Sequence, residues 1–184
     1  NLFKKHVLPK MSNGNSTFFL VIDNLRFDQW KVIKPLLQSY FSIDEDMYCS
    51  ILPTATQYCR NAIFSGLMPS EMKKKFPQFW LDDIDEGGKN LYEKDFLIHN
   101  LKNMNLHPSF SFNKVFNLEH GKKMIERVNE FLHKSLNVII YNFVDILSHS
   151  KTDIKMIKEL ANDEKSYRDL TLTWFKNSPL FELL

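Results

Sequence analysis

Thr17-Phe18-Phe19-Leu20-Val21-Ile22-Asp23 decides the fold. It is a short, continuous apolar run rich in β-branched and aromatic residues, and it ends in a carboxylate. The polar stretch Ser12-Asn13-Gly14-Asn15-Ser16 bounds it upstream. A run of this length and composition reads as a buried strand of a parallel sheet. A second run, Val138-Ile139-Ile140-Tyr141, lies within a strand signal over 136–145 that again reaches a carboxylate, Asp145. Outward from these two, apolar residues at 30, 33, 37 and 40 predict a helix over 27–41, which Pro35 should kink or divide. A further strand is expected over 46–52. A helix follows over 58–67, with Gly66 near its end and Pro69 beyond. Residues 69–90 read as irregular, anchored by Phe76, Phe79 and Trp80. Helices are expected over 90–104 and 118–134, a strand over 109–116, and a helical tail from about 153. Strands alternating with helices make an α/β domain, with a largely parallel central sheet flanked by helices.

The 184 residues are enough for one ordinary core, and 43% apolar with 25% charged residues excludes wholesale disorder. A net charge of +2 lacks the basic excess that advertises a nucleic-acid binder. No apolar run approaches the roughly 20 residues that span a bilayer, and the start carries no secretory signal pattern. Cys49 and Cys59 lack metal-type or redox-type spacing and read as reduced core thiols of a cytoplasmic protein. By composition, residues 1–16 are a linker or N-terminal extension and 17–184 the domain. The chain begins at Asn1 and ends in mid-pattern at Leu184, so further sequence is expected at both ends.

Ligands of open α/β sheets sit beyond the carboxyl ends of the strands. Asp23 and Asp145 both stand at such ends. Two carboxylates in one crevice are costly unless a cation neutralises them, although either alone could simply cap a helix. Asp145-Ile146-Leu147-Ser148-His149 adds an imidazole four residues on, which a helical turn would bring to the same face. His6, His99, His107, His120 and His133 read as structural or solvated. In Pro53-Thr54-Ala55-Thr56, a hydroxyl meets the amino end of a helix, a favourable place for a phosphate. There Thr56 is either a nucleophile or a plain N-cap.

VIDNLRFDQW (21–30), SILPTATQYCRNAIFSGLMPSE (50–71), DEGGKNLYE (85–93) and YNFVDILSHSKT (141–152) together resemble the alkaline phosphatase superfamily. The look is closest to its nucleotide pyrophosphatase/phosphodiesterase-like branch. More narrowly the chain resembles the PglZ domain, and within it the PorX-type response regulators of the Bacteroidota, from about residue 18 to 184. The resemblance implies an alkaline phosphatase-like fold and a zinc-dependent phosphodiesterase with a two-metal site. Asp23 and Thr56 would belong to one zinc, and Asp145 and His149 to the other, with the ions about 4 Å apart. Thr56 would be the nucleophile, with Thr54 as the fallback. It also implies a cytoplasmic output domain acting on nucleotide-type phosphodiesters. An upstream receiver domain and a sensor kinase would control it, in type IX secretion. No membrane partner is implied, and a homodimer is compatible with the reading.

The departures from the pattern shape the remaining expectations. The superfamily completes its site with an Asp-His pair in a DHG-type motif and a further histidine. No histidine follows His149 here. Residues 1–184 are therefore expected to be the front portion of a larger domain, with weak metal binding and no useful turnover on their own. The phosphate-binding Asn of the nucleotide phosphodiesterases falls at Pro77. Lys89 and Asn90 could supply the substrate contact instead, or form a plain turn. The alternative from another class is a non-catalytic PglZ-fold signalling or interaction module.

Overall fold

The computed structural model describes residues 1–11, 15–82, 85–86, 88–142, 144–145, 159 and 163–184. Three strands, β1 (Thr17–Ile22), β2 (Phe110–Val115) and β3 (Leu136–Tyr141), form one sheet in the order β1-β3-β2. All three are parallel. Thr17 N–H donates to Ser135 O and Asp23 N–H to Tyr141 O, while Ser135 N–H donates to Ser109 O and Asn142 N–H to Val115 O. Bonded partners thus advance together along both pairs. Central β3 has six buried residues in a row. Edge strand β1 is only half-buried, and its Phe18 is 40% exposed. The expectation of a buried strand therefore holds for β3, which stops at Tyr141 short of the expected 145, and in part for β1.

By their contacts, the residues fall into two compact units: Asn1–Phe19 with Met47–Phe112 and Lys134–Asn137, and Leu20–Asp46 with Asn113–His133 and Val138–Leu184. In the first unit, α2 (Thr56–Ser65) packs on α4 (Glu93–Asn103), and α3 (Pro69–Lys75) follows α2 closely. Phe3, Phe19, Phe64 and Phe112 make a chain of edge-to-face rings with centroids 5.4–6.0 Å apart. A second aromatic group joins Phe76, Phe79, Tyr92, Phe96 and His99, which gives His99 its structural role. Gly66 ends α2 with φ of +68°, and a Cβ there would strike the Asn1 side chain, so only glycine fits.

In the second unit, α1 (Phe27–Leu37) packs on α7 (Glu164–Lys176), and α5 (Leu118–Glu126) on α8 (Pro179–Leu183). Helix α6 (Val128–Leu132) lies between α5 and β3 in the chain. Ile33, Val115, Met124, Phe131, Ile139, Tyr141, Phe175 and Leu180 form its core. Burial pushes the Tyr141 phenol up to about 12. Side-chain caps start three helices: Asn117 accepts from His120 N–H, Asp163 from Ser166 N–H, and Ser178 from Phe181 N–H.

Several expectations give way. No strand forms over 46–52: Met47, Tyr48 and Leu52 are 77%, 60% and 86% exposed, and Cys59 Sγ contacts the carbonyls of Ile51 and Pro53. The stretch is β-prone by composition, but a strand also needs a paired neighbour. Residues 69–75 are helical, with Pro69 at the first position and Met68 N–H donating to Glu71. The helix expected over 118–134 breaks at Arg127, and α1 runs through Pro35 to end at Leu37 without a second helix. Residues 3–10, within the segment expected to be a linker or extension, form helical turns that bury Phe3 and Val7. Cys49 is exposed and Cys59 half-buried, so neither is a core thiol. The start of the tail expected from 153, residues 153–158 and 160–162, lies outside the described residues. Among the described residues, no helix is long and apolar enough to cross a membrane.

Candidate functional site

In the second unit, β1 delivers Asp23 to the carboxyl end of the sheet. The carboxylate-bearing residue is 8% exposed, and its N–H is held by Tyr141 O at 3.0 Å. The chain then turns through Asn24, whose φ of +58° is the left-handed conformation asparagine tolerates. Strand β3 ends at Tyr141, and half-buried Asp145 follows four residues later. Because β1 and β3 are parallel neighbours, both carboxylates follow the strands at the same end of the sheet. His149 lies outside the described residues. Among the described residues, no three His, Cys, Asp or Glu side chains gather as a metal site. Carboxylate oxygens suit a divalent cation, so Asp23, directly after β1, and Asp145, four residues past the end of β3, are candidates to hold one.

Just beyond Asp23, Arg26 donates to both oxygens of Asp28 at 2.9 and 2.6 Å and to Glu164 at 2.5 Å. Arg168 adds a donor to Asp28 at 3.2 Å. The Arg26 guanidinium holds the Asp28 carboxyl down at about 2, and the two carboxylates raise the Arg26 value in return. These ion pairs join the start of α1 to α7.

In the first unit, Thr56 is the first residue of α2, and the N-cap is Ala55, so Thr56 is not the plain cap. Its side chain is half-buried, and its hydroxyl has no hydrogen-bond partner among the described residues. Thr54 is exposed. One turn on, Arg60 pairs with Glu93 at the start of α4. Asn61, 3% exposed, donates to Lys89 O at 3.1 Å. Asn90 Nδ2 lies 3.5 Å from Thr56 O and 3.4 Å from Asn61 Oδ1, and the Lys89 ammonium donates to the carbonyls of Asp82 and Asp85. The structure thus brings Lys89 and Asn90 to the Thr56 helix, with their donor groups engaged by the protein. Arg60, Asn61 and Glu93 were missed in the sequence. Their only signal was polar residues on helix faces whose neighbours are apolar.

The family model for the BREX system PglZ alkaline phosphatase-like domain matches residues 2–178. The chain belongs to the PglZ family. A search of curated proteins finds no match to it. The parallel α/β sheet with flanking helices is the alkaline phosphatase-like, phosphoesterase-type fold that this PglZ membership carries. Proteins of that superfamily generally use metal ions, and Asp23 and Asp145 are candidate ligands for one among the described residues.

Proposed function

We propose that this PglZ domain is a zinc-dependent phosphodiesterase whose nucleophile is Thr56. The match over residues 2–178 to an alkaline phosphatase-like domain carries the reading. Asp23, Thr56, Asp145 and His149 would hold two zinc ions, which supply charge neutralisation for the phosphodiester anion when bound. The Thr56 Oγ attacks phosphorus, the Oγ–P bond forms, and the opposite P–O bond breaks. The leaving alcohol takes up the proton that the hydroxyl gives up. Water then attacks the phosphothreonine, releases the monoester and restores the Thr56 hydroxyl. The substrate is a nucleotide-type phosphodiester. The domain is the output of a cytoplasmic response regulator, governed by an upstream receiver and a sensor kinase in type IX secretion.

Zinc content and hydrolysis of a nitrophenyl phosphodiester, measured on the full-length protein, test the proposal. Expected are bound zinc in the wild type, loss of zinc in Asp23→Ala, and loss of turnover in Thr56→Ala. If the wild type binds no zinc and its rate equals that of Thr56→Ala, the enzyme reading fails. A non-catalytic interaction module then takes its place.

A further inference from the structure

The amide of Asn61 is buried in the first unit, and its donor bond to Lys89 O at 3.1 Å fixes which way it is turned. Its Oδ1 therefore faces Asn90, whose Nδ2 is 3.4 Å away and also 3.5 Å from the main-chain oxygen of Thr56. Both contacts are at the long end of hydrogen-bond range, so they orient more than they bind. The Asn90 amide is consequently turned into the protein. That orientation is the opposite of what a phosphate contact requires. The same Thr56 oxygen is the helical acceptor for the N–H of Arg60. Residues 89, 90 and 93 thus all grip residues 56, 60 and 61 of α2.

We infer that Asn61 and Asn90 are positioning residues for Thr56, latching the first turn of α2 to the 89–93 stretch without touching the substrate. The catalytic consequence rests on the reading of Thr56 as nucleophile; the latch itself does not. Orientation passes from Asn61 through Asn90 to the Thr56 main chain, so the two side chains act as one unit.

Amide hydrogen exchange of the full-length wild type, Asn61→Ala, Asn90→Ala and the double variant tests the latch without any need for turnover. In each single variant the amides of residues 58–60 should exchange about twofold faster, as the loss of a hydrogen bond at the weak end of the range implies. The double variant should be no faster than the singles. Half-buried Asn90 is the milder site, so Asn90→Ala decides the matter if Asn61→Ala folds poorly. With a nitrophenyl phosphodiester, kcat should fall by the same factor in all three variants while KM holds. Unchanged exchange at 58–60, or a double variant showing the product of the single effects, overturns the inference. So does a raised KM at constant kcat, which would make Asn90 a substrate contact. If Thr56→Ala hydrolyses at the wild-type rate, the nucleophile reading fails alone, and the exchange result still decides the latch.

Discussion

Arg60 and Glu93 form a two-bond ion pair, at 2.7 and 2.8 Å, between side chains that are 6% and 0% exposed. The pair stands one turn beyond Thr56 and fastens α2 to α4. A buried pair adds little over apolar residues of equal size, but a lone buried charge is expensive. Glu93→Ala should therefore cost about 3–5 kcal/mol. Replacing both partners, as Arg60→Met with Glu93→Leu, should cost less than Glu93→Ala alone. Urea denaturation of the three proteins checks the order, and the reverse ranking would contradict the burial.

A second polar arrangement pins the register of the strands. Asn137 on β3 is fully buried; Ser111 Oγ donates to its Oδ1 at 2.6 Å, and its Nδ2 donates to Ser16 Oγ at 2.8 Å. Asn137→Ala removes both bonds from a fully buried position in the sheet. A loss of about 2–3 kcal/mol is expected, read from the denaturation midpoint. A loss below about 0.5 kcal/mol would mean that neither bond matters.

The ion pairs around Asp28 predict a pH dependence of definite sign. Its folded value of about 2 lies below the ordinary carboxylate value, so the unfolded chain binds the proton first. The stabilisation is complete above about pH 4 and disappears as pH falls from there through 2. Because Arg26 and Asp28 are 39% and 40% exposed, solvent screening keeps the effect below about 1 kcal/mol. The stability gap between the wild type and Asp28→Asn should be present at pH 6 and vanish at pH 2. A gap that widens on acidification would reverse the assignment.

The periodicity of the chain revealed the elements whose partners lie within the described residues. The run ending at Asp23 and the run ending at Tyr141 are neighbouring parallel strands. Gly66 with Pro69 marked the end of α2 correctly, because a left-handed cap and a proline stop are local requirements. Residues 46–52 misled, since β-propensity at Met47, Tyr48 and Ile51 cannot show whether a neighbour accepts the strand. Asp23 was legible as the residue that directly follows β1, whereas β3 ends at Tyr141, four residues short of Asp145. Asn61 and Glu93 were not legible, because a polar residue earns notice only once its burial and its partner are known. Lys89 and Asn90 stood out only as possible phosphate contacts or a plain turn, because a sequence does not show which way an amide faces.

The central claim is that Thr56 forms a covalent bond to phosphorus. Rapid acid quench of the full-length, zinc-loaded protein with a nitrophenyl phosphodiester, followed by peptide mass spectrometry, tests it most directly. The account predicts a phosphoester adduct on the peptide containing Thr56, absent from Thr56→Ala along with turnover. Steady hydrolysis with no adduct on that peptide, and an equal rate in Thr56→Ala, would contradict it.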